Sequence, residues 1–221
     1  MKRPLPTFFR TTIDPDTKFL THLNVSPFID VIGKTITNVN SVALATINKK
    51  FGAGSAQFNG SNYLTLADND DWYFGSGNFT IDYQLYVTSD SNFAINQKSN
   101  DNNYWVVAYN RTAGHTLRLY FVSGGTTLAG YTCPFTPSLS TWYHIAFVRN
   151  GANALIFIDG ISQSLTTDVS FGVGTMPNYA VDLTIGQDNF GSYYTGNIDE
   201  LRISKDIARW TSNFTPPTSE Y

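Results

Sequence analysis

Phe79-Thr80-Ile81-Asp82-Tyr83-Gln84-Leu85-Tyr86-Val87 is the stretch that decides the fold class. Phe79, Ile81, Tyr83, Leu85 and Val87 fall on one parity, and Thr80, Asp82, Gln84 and Tyr86 on the other. Side chains of an extended chain point alternately to two faces, so a period of two predicts a strand with one buried face. Downstream, Phe93–Gln97, Tyr104–Tyr109 and Thr116–Val122 are further strand-prone runs separated by Asn, Asp, Gly or Arg. Thr141–Arg149 and Ala154–Ile158 flank Asn150-Gly151, and Asp159-Gly160 stands between Ile158 and Ile161. Asn-Gly and Asp-Gly tolerate the positive φ of a two-residue hairpin turn, so both sites predict hairpins.

Working outward, Phe19–Val25, Thr35–Val39, Val42–Ile47, Ser55–Phe58 and Tyr63–Leu66 precede the central strand, and Val181–Ile185 and Thr195–Ser204 close the series. About 12–14 strands joined by short polar turns predict an all-β sandwich of two antiparallel sheets. Ile207–Trp210 is expected to form one helical turn, and Pro216-Pro217 to end the ordered chain. Residues 1–18 carry Pro4, Pro6 and Pro15 with the basic Lys2, Arg3 and Arg10. They are expected to form an arm, either a partly ordered terminus or a peptide that docks on a partner or a neighbouring copy, followed by a single domain over 19–217 and a short tail over 218–221. No linker or internal repeat interrupts the domain.

Composition agrees. Aromatic residues make up 15% of the 221 residues, and Glu occurs only at Glu200 and Glu220. Aromatic and β-branched residues favour strands, whereas helices favour Glu, Lys, Ala and Leu. A net charge of -3 does not suggest a nucleic-acid surface. Cys133 stands alone, so no disulfide forms within the chain, which fits folding in a reducing compartment. No window approaches the roughly 20 apolar residues of a membrane span, and the proline-broken N-terminus does not read as a signal peptide.

Several short motifs resemble the laminin-G-like, concanavalin-A-like lectin/glucanase jelly-roll family. They begin with Phe51-Gly52-x-Gly54-Ser55-Ala56-x-Phe58-x-Gly60, Tyr63-Leu64 and Phe74-Gly75-Ser76-Gly77-Asn78-Phe79-Thr80-Ile81. Trp142-Tyr143-His144-Ile145-Ala146 and Phe157-Ile158-Asp159-Gly160 resemble its middle hairpin. Ile185-Gly186 and Gly196-Asn197-Ile198-Asp199-Glu200-Leu201-Arg202-Ile203-Ser204 resemble its last two strands. The ending Ala208-Arg209-Trp210-Thr211-Ser212-Asn213-Phe214-Thr215-Pro216-Pro217 is similar to tails in the family, including those of bacteriophage structural proteins.

The resemblance implies a jelly roll and a non-enzymatic virion structural protein: a tail, fibre, baseplate or capsid-surface component, assembled in the host cytoplasm. Its partners would be copies of itself or other virion proteins. A carbohydrate-binding module that recognises a host surface is the first alternative, and a glycoside hydrolase the second. Fold alone does not choose among them.

Candidate sites follow from residue chemistry. Glycoside hydrolysis needs two carboxyl groups across the scissile bond. Related glucanases carry Glu-x-Asp-x-Glu on one strand, and this chain has no such run. Nor does it contain a nucleophile elbow, zinc spacing or phosphate loop. His144, beside Trp142-Tyr143, reads as structural, as does Cys133. A structural Ca²⁺ requires several oxygen ligands; by the resemblance, Asp199 would supply a carboxylate and the Asn59-Gly60 turn a carbonyl. A sugar site needs an aromatic face and planar polar partners. Gln187, Asp188, Asn189, Phe190, Tyr193 and Tyr194 offer that mixture in one loop, and the run Asn100–Trp105, chiefly Asn103 and Trp105, in another.

Overall fold

The alternating stretch forms one unbroken strand inside a sheet, with neighbours on both sides. The structure, a computed structural model, describes residues 13–188 and 190–221. Its strands are, in chain order, β1 (Thr17–Thr21), β2 (Thr37–Val39), β3 (Ala43–Ala45), β4 (Ser55–Asn59), β5 (Tyr63–Leu66) and β6 (Phe79–Val87). There follow β7 (Phe93–Asn100), β8 (Asn103–Asn110), β9 (Thr116–Ser123), β10 (Thr126–Pro134) and β11 (Trp142–Asn150). The last are β12 (Asn153–Ile158), β13 (Ile161–Ser162), β14 (Thr166–Val169), β15 (Leu183–Ile185) and β16 (Thr195–Lys205). The first sheet runs β13-β12-β11-β6-β16-β4-β3, with β1 also on β16; the second runs β14-β10-β9-β8-β7-β15-β5-β2. All pairings are antiparallel, as a jelly-roll sandwich requires.

The core lies between the sheets. Phe79, Ile81, Tyr83, Leu85 and Val87 enter it from β6, and Phe93, Trp105, Leu119 and Phe121 meet them from the second sheet. Full burial of such a side chain contributes about 1.5–3 kcal/mol, so this layer dominates stability. The expected hairpins are present, β11 to β12 through Asn150-Gly151 and β12 to β13 through Asp159-Gly160. Strand β10 was not expected. Gly130 interrupts its pattern for a packing reason: a Cβ there would lie 2.7 Å from the Tyr120 ring, which crosses β10 at this point.

Four expectations are corrected. Strand β6 does not have one buried face: Thr80, Asp82 and Gln84, on the opposite parity, are buried too. Their cover is the segment after β16. Ile207–Trp210 is not helical but extended over β6, where the Thr80 hydroxyl donates to the Ile207 carbonyl (3.1 Å) and accepts from the Arg209 N–H (3.0 Å). Further on, Phe214 N donates to the Gly160 carbonyl (2.9 Å), and Trp210 and Phe214 stack 4.0 Å apart against the edge of His144. Nor do Pro216-Pro217 end the order. Residues 218–221 belong to this strap: the Tyr221 hydroxyl donates to Asp82, and its ring lies 3.8 Å from the Arg202 guanidinium. Finally, the boundary at residue 18 is too late, because Thr17 pairs with Ser204 and Asp14 bonds Arg209 at 2.9 Å. Lys2, Arg3 and Arg10 lie outside the described residues.

Strand β16 has β6 on one side and two half-strands on the other, β4 beside residues 195–198 and β1 beside residues 201–204. Between them the register breaks and Glu200 takes a positive φ of 49°. The adjacent acids of Ile198-Asp199-Glu200-Leu201 serve this gap. Asp199 accepts the backbone N–H groups of Lys50, Phe51 and Glu200 at 2.8, 3.0 and 2.9 Å, and Glu200 bonds His22 Nδ1 through both oxygens at 2.9 Å.

Candidate functional site

The two outer faces of the sandwich differ. That of the first sheet is sealed by the strap, over Asp82, His144 and Arg202. Arg202 donates to both Asp82 oxygens (3.1 and 3.2 Å), and His144 Nε2 lies 3.5 Å from Asp82. Burial would raise the Asp82 carboxyl, but Arg202 and His144 hold it below the ordinary carboxylate value. This is a closed polar layer in which His144 is buried with its Nε2 facing Asp82 and the Tyr221 hydroxyl, while its Nδ1 has no partner among the described residues.

The outer face of the second sheet is open. Its floor is made by residues of even number on β7 and β8: the small Ala94, Val106 and Ala108, flanked by Tyr104 and Tyr120. Small side chains in the middle and large ones around them make a depression. Tyr120 bonds Asp168 of β14, which builds one wall. The loop after β15 builds the other. It is pinned where Asn96 Nδ2 donates to the Gln187 carbonyl (2.7 Å), and Asp188 holds it folded by accepting the N–H groups of Phe190 and Ser192 (2.9 Å each).

These elements enclose a cleft of about 420 Å³ lined by Asn92, Tyr104, Asn110, Thr112, Arg118, Asp188, Phe190 and Ser192. Phe190, half exposed, meets the Tyr104 ring edge-on at 5.5 Å, and Lys98 Nζ lies 3.4 Å from its centre. The oxygens of Asn92 and Asn110 accept the N–H groups of Arg111 and Ala113 (2.9 Å each), which fixes both amide planes. Burial raises the Tyr104 phenol above its ordinary value, while Arg118 pulls it back; the phenol stays neutral at neutral pH. A smaller cleft of about 230 Å³ adjoins, sharing Asn92, Thr112 and Ser192 and adding Tyr193 and an Asp90–Arg111 ion pair (3.2 Å). The combination is a platform with hydrogen-bonding walls, suited to a polyhydroxylated ring.

Asp188, expected in a sugar site, lines the cleft together with Phe190 and Tyr104. Gln187 acts through its carbonyl as a loop anchor. Tyr193 reaches the adjoining cleft and packs 6.2 Å from Tyr63. Three expectations fail on parity or on bonding. Trp105 points into the core and donates to Gln97 Oε1 at 2.8 Å, and Tyr194 is fully buried with its hydroxyl on the Tyr86 carbonyl at 2.7 Å. Asn103 is spent on hairpin turns, accepting from Gly124 N–H at 3.0 Å. Asn189 lies outside the described residues. Asn92, Asn110, Thr112 and Arg118 were missed; the small Ala94 and Ala108 on the face opposite Trp105 are the signal that marks their side as a floor.

The expected calcium ligands do not fit one another. Three N–H groups occupy the Asp199 carboxylate, and burial pushes it up to about 6, which disfavours the charged form a cation needs. Gly60 sits beyond Asn59, which faces Thr195, four residues back along β16 and so roughly 13 Å away.

The fold and the cleft define a class: a lectin-like antiparallel sandwich with a polar depression on one sheet. The family described as the concanavalin A-like lectin/glucanases superfamily matches residues 58–209, and the chain belongs to it. No curated protein matches the chain. Among solved structures, the chain is similar to Domain 4 of AbnA, a GH43 extracellular arabinanase from Geobacillus stearothermophilus, in complex with arabinotriose. The TM-score is 0.67 at 17% identity, covering 87% of this chain and 94% of that one. It is also similar to the binding domain of Botulinum neurotoxin DC in complex with rat synaptotagmin II (TM-score 0.63, 13% identity, 87% of this chain and 49% of that one). The same toxin domain in complex with SialylT gives 0.61 at 11% identity, over 87% and 48%. The chain thus spans about half of the toxin domains. These likenesses show the fold.

Proposed function

We propose that the protein is a non-enzymatic carbohydrate-binding module whose site is the cleft on the outer face of the second sheet. The observation that carries this reading is the meeting of Tyr104 and Phe190 with the fixed polar groups of Asp188, Asn92 and Asn110 in one open depression. An aromatic face covers the apolar side of a sugar, and a carboxylate and amides bond its hydroxyls. The arabinotriose bound by the arabinanase domain is in keeping with this use of the fold. Catalysis has little to stand on here. Among the described residues lining the cleft Asp188 is the one carboxylate, whereas glycoside hydrolysis takes a pair.

A virion as the setting rests on the sequence motifs and on the basic arm, and the binding role is independent of it. The test is a glycan array that includes arabinotriose, probed with the wild type and with Phe190→Ala and Asp188→Asn. Selective binding lost in both variants, without turnover of any bound glycan, is the expected result. No binding to any glycan, or binding untouched by both substitutions, refutes the site.

A further inference from the structure

We infer that the cleft recognises a glycan carrying an anionic group, a carboxylate or a sulfate, and that Arg118 is the residue that binds it. The inference rests on the glycan-binding reading and narrows its ligand class. Three cations stand in or beside the two clefts. Lys98 pairs with Asp101 at 2.6 Å, and Arg111 with Asp90 at 3.2 Å. Arg118 has neither an ion pair nor a hydrogen bond among the described residues, and its buried Nε is left without an acceptor.

Position explains why. Arg118 stands in β9 between Ala108 of β8 and Thr132 of β10, on the floor side, where neither neighbour offers a carboxylate. Of the polar side chains beside it, Thr132 of β10 is a hydroxyl, Asn110 of β8 has its oxygen taken by Thr112 and Ala113, and Tyr120 is committed to Asp168. An unsatisfied buried donor carries a desolvation cost. A guanidinium presents five donors in a planar fork that matches a carboxylate or sulfate edge, and such charge-assisted pairs are among the stronger hydrogen bonds.

Asp188 supplies the complementary requirement. Its carboxylate accepts two loop N–H groups, pairs with no cation among the described residues, and lines the same cleft while itself largely buried. It can accept hydroxyl protons there but repels a bare anion. A small inorganic anion meets only Arg118, whereas a hydroxylated acid meets both. The pair therefore selects an acidic sugar over a free anion and over a neutral sugar.

The experiment is calorimetric titration of the wild type with matched probes: trigalacturonate against galactotriose, and sialyllactose and lactose sulfate each against lactose. At least one acidic probe is expected to bind about tenfold or more tighter than its neutral counterpart, the scale of one charge-assisted hydrogen bond. Which of the three does so separates uronate, sialate and sulfate as the source. Arg118→Gln is expected to erase the preference, bringing the acidic probe to within about twofold of its neutral counterpart with the melting temperature unchanged, and Arg118→Lys to restore only part of it. Equal affinity for acidic and neutral members of every pair, or a preference that survives Arg118→Gln, overturns the inference and leaves the glycan-binding reading standing. Absence of binding by all five probes overturns the inference. Failure of the broader array as well overturns the glycan-binding reading with it.

Discussion

The outward faces of the two sheets are built from the same parity pattern and end in opposite states. On the first, Asp82, His144 and Arg202 are buried, mutually bonded and covered by the chain's own strap. On the second, Arg118 and the largely buried Asp188 line one cleft without bonding each other. A polar residue on a strand's outer parity is therefore not a surface residue by default. What decides its role is whether another part of the chain returns to cover it. Where cover exists, charge is compensated internally; where it does not, the compensation is left to a ligand.

The sharpest way to break this contrast is to remove a charge from the closed face. Asp82→Ala leaves the Arg202 guanidinium buried without its counter-charge, and breaking a buried pair this way costs about 3–5 kcal/mol. Equilibrium urea unfolding reads it. The double variant Asp82→Leu with Arg202→Met is expected to recover most of the loss, and a single-variant cost under about 1 kcal/mol would mean that the layer is effectively solvated. Gly160→Ala tests the strap itself. Gly160 has φ +77°, and a Cβ there would lie 2.0 Å from the Phe214 carbonyl oxygen. A cost above about 1 kcal/mol is expected, with new proteolytic cleavage between residues 206 and 221. Unchanged protection would show that the strap is held elsewhere.

Titration gives a smaller effect. The bond to Glu200 raises the His22 pKa, so its contribution is complete below the ordinary imidazole value and is lost as pH rises through its folded value. Burial pushes Asp199 up to about 6 against its three N–H donors, so the folded state prefers the protonated form and gains stability as pH falls through that value. Both act in one direction. Melting is expected on the order of 2 °C higher near pH 5.5 than near pH 8.5. Asp82, with its depressed value, reverses the trend only in stronger acid, below the ordinary carboxylate range. His22→Gln is expected to flatten the part of the slope at higher pH; an unaltered slope would assign it elsewhere. The smallest effect belongs to the open face: Phe190→Ala is expected to change stability by less than about 0.5 kcal/mol. A larger loss would make Phe190 a structural residue and weaken its role as a platform.

The sandwich was legible because alternation in β6 and the turns at Asn150-Gly151 and Asp159-Gly160 are local signals. The burial of the outer side of β6 was not, since its cover comes from residues more than a hundred positions later. Asp188, Phe190 and Tyr104 could be named from residue type. Trp105 and Tyr194 have equally suitable chemistry, but each is one residue from a side chain that does reach a cleft, and a single step along a strand exchanges faces. Arg118 escaped notice because a lone arginine between apolar residues carries no motif; its meaning comes from the acceptors it lacks.

The placement of β15 and β16 also bears on how the chain acquires its structure. β16 separates β6 from β4 and β1, and β15 separates β7 from β5. The second sheet thus remains in two pieces and the first in three until a strand encoded near the end of the chain arrives to join them. The contacts it makes are long-range in sequence, and such topologies fold slowly because loop closure precedes its reward. During synthesis, β4, β5, β6 and β7 would wait with unpaired edges until residues 183–205 emerge, the condition in which strands recruit wrong partners. The rate-limiting event in this protein is therefore expected to be the double insertion of its last two strands.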